Sequence, residues 1–491
     1  ADSEHVRRLR QAGAIVLGLA ANYVLAYLPS AGTFTGNLRV SLPMILLFVV
    51  LVVLPQDRLR GAAVRTRERY RVPSVRKAAV WGGVLVAVVY LYSLLLSDGA
   101  VSTFALGMSF AIIALSLTVL TGYAGELNLA PLAFGAVATV VAFHAGVEGT
   151  GLSSYMSVQG VLLGVAAAAL VGGLVALPAL RLRGLYLALA TMAFGEFLSN
   201  MVLRDSAEHE LFGFTFTLFP DGALVVPPLK AGPLDLRDGT TFLMTATVLF
   251  ALIAVGLAAL RNSGYGRRLA AMKDSPAATA MLGQNLVRLK LSVFMISAAI
   301  AGLGGVLMSA AQGTVAQENF AFVGSLSLLM LVVVAGIGYI SGALVGGLLA
   351  GVGATVLVAT FNDLALESEG LGNIYAALGH LVLVGTALIG MGVGRNPSGF
   401  VHDLVEGYRA TRGAKPVLYG AGAFGAVLYV LALTGVIGTW TFAIIALCAV
   451  MLVPVLGRVY LAETSGDGER RPRPTPLELV GVDEPYTDEL R

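Results

Sequence analysis

The sequence predicts an all-α, polytopic membrane protein of about fourteen transmembrane helices. Three observations lead there: charges too sparse for a soluble fold, apolar runs of bilayer length, and no two-residue alternation. Of 491 residues, 57% are hydrophobic and 12% charged, against roughly 25% charged in an average soluble domain. The apolar runs reach about 18 to 24 residues, enough to cross a hydrocarbon core of roughly 30 Å at about 1.5 Å per residue. Barrel strands would alternate apolar and polar positions, and these runs do not, so helices must satisfy the backbone inside the bilayer. A net charge of +3, with the basic residues gathered in a few short segments, argues topology and excludes a nucleic-acid surface.

In chain order, spans are expected near residues 12–29, 38–55, 78–97, 100–121, 131–147, 157–180, 185–203, 240–260, 291–313, 323–338, 343–361, 373–393, 417–436 and 440–457. Arg7, Arg8 and Arg10 precede the first run, but further spans follow without a convincing cleavage site, so an uncleaved first helix is expected. The segment from Gln56 to Lys77 carries Arg58, Arg60, Arg65, Arg67, Arg69, Arg71 and Arg76, which puts it in the cytoplasm. Alternation from there places Arg181, Arg183, the stretch Arg261 to Lys290, and Arg395, Arg409, Arg412 and Lys415 inside, with Asp363, Glu367 and Glu369 outside. Both termini are then cytoplasmic. Leu461 to Arg491 is charged and poor in apolar residues, and reads as a disordered tail. Four regions result: residues 1–95, a core at 96–397, a two-helix segment at 398–460 and the tail at 461–491.

Two sites interrupt the apolar pattern. One is Gly122 to Pro131, holding Gly122, Gly125, Glu126 and Asn128; the other is Gly336 to Gly342, holding Gly336 and Gly338. Each precedes a Gly/Ala-rich run, a weak internal similarity that fits a duplicated half with interrupted helices, where transporter sites tend to be built. Tight interhelical turns are the competing reading. Spacings such as Gly160/Gly164, Gly342/Gly346 and Gly347/Gly351 allow close helix packing.

The segment Ser263 to Gly283 is longer than a simple connection requires. Asp274-Ser275-Pro276 reads as a helix start and Gly283 as a stop, giving a short cytoplasmic surface helix flanked by Arg267, Arg268, Lys273 and Arg288. This segment resembles the coupling loop of ABC importer permeases, specifically the M-type permeases of branched-chain amino-acid importers (LivM-like proteins). Ala277, Ala278, Thr279 and Gly283 occupy the Glu-Ala-Ala-x-x-x-Gly spacing of that family, with Ala277 at the Glu place and Thr279 at the second Ala. Gly122-Tyr-Ala-Gly125 with Asn128 and Phe134-Gly135, Leu180 to Tyr186, Thr191 to Glu196, Lys290 to Gly305 and Val332 to Gly347 resemble further family motifs in the same order. Asn128, Ala130 and Pro131 depart from the usual Ser, Gly and His.

The resemblance covers roughly Ala100 to Arg395. Leu42 to Arg60 looks like the last helix of the partner H-type permease, so the chain reads as the end of a fused permease or as an independent subunit lacking its initiator Met. It implies a permease that imports branched-chain amino acids by alternating access, with two ABC ATPase subunits, an H-type permease and an extracytoplasmic solute-binding protein as partners in the bacterial inner membrane. Arg267, Asp274, Ala277, Ala278, Thr279 and Gly283 would couple to the ATPase. Urea or short amides are alternative solutes, and an autonomous channel or carrier is the alternative class. No phosphate-binding loop occurs in the chain, so hydrolysis belongs to other subunits.

No cofactor or metal is expected, because His144 and His380 lack partners at ligand spacing. No enzymatic constellation appears. Glu196, central in an apolar span, reads either as a pathway or gating group or as a buried hydrogen-bonded one. Glu126 and Asn128 either line the solute path or satisfy broken backbone. Cys448, alone in an apolar run, reads as a buried small hydrophobe. The external segment Arg204 to Gly239, with Phe212, Phe214, Phe216 and Phe219, reads as a short strand or plug that docks a binding protein, or as a membrane-surface anchor.

Overall fold

The computed structural model describes residues 74–353 and 400–464 apart from short gaps, together with isolated positions elsewhere. The expected spans at 12–29, 38–55 and 373–393, the tail beyond 464, the Asp363 to Glu369 loop, Arg181, Arg183 and His380 lie outside the described residues. The chain divides into two compact units, Ala1–Val401 and His402–Arg491. Among the described residues, seven helices are long and apolar enough to cross a membrane.

In the first unit, α1 (Val75–Ser93) leads to α2 (Asp98–Leu117), which runs on through a π-helical turn, Thr118–Tyr123. Then come α3 (Pro131–Gly146), α4 (Val158–Ala179), and α5 (Leu185–Leu198) with its own π turn, Ser199–Leu203. The helix α6 (Gly239–Asn262) starts on Asp238, whose carboxylate accepts from the hydroxyl and the backbone N–H of Thr241; those hydrogen bonds hold the carboxyl below its ordinary range. Next are α7 (Gly264–Asp274), α8 (Pro276–Met281) and α9 (Leu286–Gln312). Finally α10 (Phe322–Ala335) is followed by α11 (Ile340–Leu348), extended by a π turn, Leu349–Gly353.

At 27 residues, α9 is about 40 Å long and spans the unit from end to end. It packs along α2, α3 and α4, while α2 also lies against α6 and α11, and α1 against α6. Small residues set these distances. A Cβ on Gly135 of α3 would stand 3.0 Å from the Gly305 Cα of α9, and one on Gly346 would meet Val332 at 2.9 Å. The largest fully buried side chains are apolar, Phe134, Phe294, Ile112 and Leu115 among them. Exposed Leu162, Leu170, Leu174 and Leu252 face outward, as lipid contact requires.

One departure from the all-helical expectation lies at the end opposite α7 and α8. Short strands β1 (Val147–Glu148), β2 (Tyr155–Ser157), β6 (Leu229–Ala231) and β7 (Leu234–Asp235) form one sheet. β3 (Glu208–Leu211) pairs with β4 (Phe214–Thr217), and β5 (Ala223–Val225) with β8 (Thr314–Ala316). Strands of two to four residues have no periodicity to detect; they exist because loops at one end of the bundle pair with each other. The segment between α5 and α6 therefore holds short strands, one of the structures expected there, with Phe214 and Phe216 on β4 and with Phe212 and Phe219 outside the described residues.

Helix bounds differ from expectation where caps act. Asn285, accepting from the Arg288 N–H, starts α9 at 286 instead of 291, and Gly313, at φ +70°, ends it. The helix α12 (Phe400–Ala410), all but its first two residues in the second unit, precedes the paired helices α13 (Lys415–Leu433) and α14 (Thr439–Thr464), with the Tyr408 hydroxyl donating to the Val450 carbonyl at 2.8 Å. The last helix thus passes its expected end at 457, with Pro454 inside it. Cys448 is exposed on α14 and not buried as the sequence suggested; in a membrane span the exposed side faces lipid, so an apolar run does not tell inside from outside.

Candidate functional site: the coupling arm and the two helix breaks

The polar segment between α6 and α9 folds as two helices where the sequence suggested one. Ser263 caps α7 by accepting from the Gly266 N–H, and Ser275 caps α8 by accepting from the Ala278 N–H, with Pro276 in the first turn. Gly283 ends the pair at φ +74°, a conformation that Cβ-bearing residues rarely adopt, and no other group approaches it. The pair is pinned from below by buried Leu269 and Met272 and by a 2.7 Å hydrogen bond between the hydroxyls of Tyr265 and Ser292. Burial raises the Tyr265 phenol pKa, and the Ser292 bond opposes that shift.

Its outer surface presents Arg267, Asp274, Ala277 and Ala278, all exposed, and ends in Met281 and Leu282 at 90% and 76% exposure. Thr279 points the other way: it is buried, and its hydroxyl donates to the Ser275 carbonyl. Beside the pair runs an open cleft of about 320 Å³ with Arg267, Arg268 and Gln284 in its wall.

The two interruptions lie between consecutive helices, at this same end, and touch. In the first, the chain leaves the π turn, passes Gly125 at φ +74° and starts α3 at Pro131. In the second, α10 ends on Gly336 at φ +117° and a tight turn starts α11, with the Tyr339 N–H donating to the Gly336 carbonyl. A Cβ on Gly122 would stand 2.6 Å from the Ile337 carbonyl oxygen and 3.3 Å from the Gly338 Cα, so backbone meets backbone at this seam.

Three cations from the arm Arg261 to Lys290 hold the first break. The Lys273 ammonium donates to the Gly122 carbonyl at 3.0 Å, and its methylenes cover Gly125, where a Cβ would lie 2.8 Å from Cγ. The Arg261 guanidinium sits 5.0 Å from the Tyr123 ring centroid. Lys290, buried near the start of α9, forms an ion pair with buried Glu126. The positive charges of Arg261 and Lys273 stand where the carbonyls of α2 and its π turn run out, the end of a helix that favours cations.

The start of α3 is closed by side chains drawn from three places. The Leu129 N–H donates to the Thr191 hydroxyl of α5 at 3.0 Å, the Ala130 N–H to Asn128 Oδ1 at 2.9 Å, and the Leu132 N–H to the Ser325 hydroxyl of α10 at 3.2 Å. Those N–H groups are therefore satisfied within the protein. Asn128 is fully buried, and its Nδ2 has no hydrogen-bond partner among the described residues. Glu196 is on α5, next to Gly195, where a Cβ would stand 3.0 Å from the Ala130 Cβ; the Glu196 carboxylate accepts from Asn200 Nδ2 at 3.0 Å, one helical turn on.

Sequence reasoning singled out both breaks and the surface helix but gave no role to Lys273, Lys290, Arg261, Thr191 or Ser325. Lys290 at the edge of an apolar run was a visible signal, whereas Thr191 and Ser325 are ordinary span hydroxyls until the fold brings backbone to them. His144 is exposed beside the Phe143 ring. Among the described residues no group of three or more His, Cys, Asp or Glu is placed to hold a metal ion.

Comparison with known proteins places the chain in a family. The family described as "Branched-chain amino acid transport system / permease component" matches residues 99–363, more than half of the chain and including both breaks and the whole arm. The high-affinity branched-chain amino acid transport system permease proteins LivM of Escherichia coli (strain K12) and of Salmonella typhimurium are each 31% identical to it over 270 residues, covering 52% of this chain and 62% of theirs. The chain thus spans about three-fifths of the length of these relatives. No solved structure matches. With seven membrane-length helices among the described residues and the family match over residues 99–363, the chain is a multi-pass membrane protein that belongs to the branched-chain amino acid transport system permease family.

Proposed function

We propose that this chain is the membrane-spanning permease subunit of an ATP-binding-cassette importer that carries branched-chain amino acids across a bacterial cytoplasmic membrane. The observation that carries the reading is the capped helix pair α7–α8, which projects from one end of the family-matched bundle with an exposed apolar tip, Met281 and Leu282, between charged flanks. In water such a tip is costly; against a groove in a partner it supplies contact area, while Arg267 and Asp274 set the register electrostatically.

The partners fitting this role are two ATPase subunits on the cytoplasmic side, an H-type permease subunit alongside and an extracytoplasmic binding protein at the strand end. Movement of α7–α8 by the ATPases would rock the helices and expose a solute path to each side in turn. No step of ATP chemistry falls to this chain. The solute reading rests on the LivM relatives, which are high-affinity branched-chain amino acid transport permeases.

The test is reconstitution of the chain with its ATPase, permease and binding-protein partners in vesicles, followed by uptake of labelled leucine. Uptake that needs both ATP and the binding protein is expected. Leucine flux through the chain alone, unaffected by ATP, would replace the importer by a channel or carrier, and ATP-driven uptake of urea in place of leucine would change the solute class.

A further inference from the structure

Three features of the seam between the breaks are not explained by packing alone. Gly122 carries its carbonyl where the π turn ends, with the Ala124 and Glu126 N–H groups already given to Val119 and Leu120. The cation that takes this carbonyl is Lys273, in the last turn of α7, although lysines in that position ordinarily serve the carbonyls of their own helix. The opposite side of Gly122 rests on the Ile337 carbonyl and Gly338, so the residue touched by the arm is also the residue that seals one break against the other.

We propose that Lys273 is a positioning residue that passes movement of the α7–α8 pair to a gate formed where the two breaks meet. This rests on the importer reading above. The Glu126–Lys290 pair anchors the far side of the same break to the rigid shaft of α9, so a shift of α7 relative to α9 turns the break about that anchor. Lys273 pulls on the Gly122 carbonyl while its stem bears on Gly125, a glycine with no Cβ in the way. The Gly122 contact with Ile337 and Gly338 then opens or closes. A hydrogen bond is needed for the pull and a long stem for the push, and methionine keeps only the stem.

The experiment uses the complete complex in vesicles, with Lys273→Met and Lys273→Arg compared with wild type for assembly, ATP hydrolysis and leucine uptake. Lys273 is half-buried, and Met preserves the packing over Gly125. The expected result is that Lys273→Met assembles and hydrolyses ATP but imports roughly ten-fold less solute per ATP, a coupling loss of ordinary size for two linked sites, and that Lys273→Arg recovers most of it. An unchanged ratio in Lys273→Met overturns the proposal, as does an equal fall in hydrolysis and uptake that Arg does not relieve.

A second readout is independent of the solute. Thr121, beside Gly122, has a buried hydroxyl with no hydrogen-bond partner among the described residues, so Thr121→Cys in a Cys448→Ser background removes no bond. Its alkylation rate is expected to change on ATP addition in the otherwise wild-type complex and to stay constant with Lys273→Met. That pattern upholds the lever even where leucine is not the solute. If ATP changes the rate in both, the lever is elsewhere; if ATP changes it in neither, the ATP-driven reading falls together with the lever.

Discussion

Glu126 and Lys290 illustrate how a residue's role depends on a partner distant in sequence. Either side chain alone would be costly to bury, and together they form an ion pair at about 11% side-chain exposure each. Removing one member of a buried pair strands the other charge, which costs roughly 3–5 kcal/mol, whereas removing both is often close to neutral. Glu126→Gln is therefore expected to lower the melting temperature of the purified protein clearly, and the double variant Glu126→Gln, Lys290→Met to recover much of the loss. Equal melting of wild type and Glu126→Gln would show that the pair contributes nothing. Glu196 contrasts with this pair because its partner, Asn200, lies at i+4 on the same helix and was within reach of sequence reasoning.

At the scale of elements, α8 was legible in full. Its start at Ser275-Pro276 and its stop at Gly283 are written in local backbone chemistry. The helix α7 before it was not, since a polar stretch without a membrane-length apolar face gives little signal. The strands were invisible for a different reason: Met156 pairs with Leu229 and Leu224 with Val315, partners chosen by the bundle and not by neighbours. The role of Gly283 can be separated at this scale. Its surroundings are open, so its requirement is the positive φ, and Asn, which tolerates that region, is expected to retain near-normal uptake where Val loses much of it. Failure of Gly283→Asn equal to that of Val would point to a partner surface pressed against the glycine itself.

At the scale of the whole molecule, the helix pair α7–α8 and the strands lie at opposite ends of the bundle, joined by α9. The proposed importer requires the α7–α8 end to be cytoplasmic, as the positive-inside rule expects of its basic residues. In intact cells, with Cys448→Ser as background, Ala277→Cys is expected to resist a membrane-impermeant thiol reagent and Val225→Cys, at 69% exposure, to react with it. The reverse pattern would invert the topology and count against the proposed importer.

The sequence by itself determined the helical membrane class, the family motifs, the two interruptions and the capped α8, because each depends on composition or on residues within a few positions of one another. Only the tertiary structure decided that the two interruptions touch, that Lys273 and Lys290 hold the first of them, and that Thr191 and Ser325 close the start of α3. Those contacts join segments well over fifty residues apart. Their pairing is set by how the glycine-lined helices pack, a property no local pattern encodes.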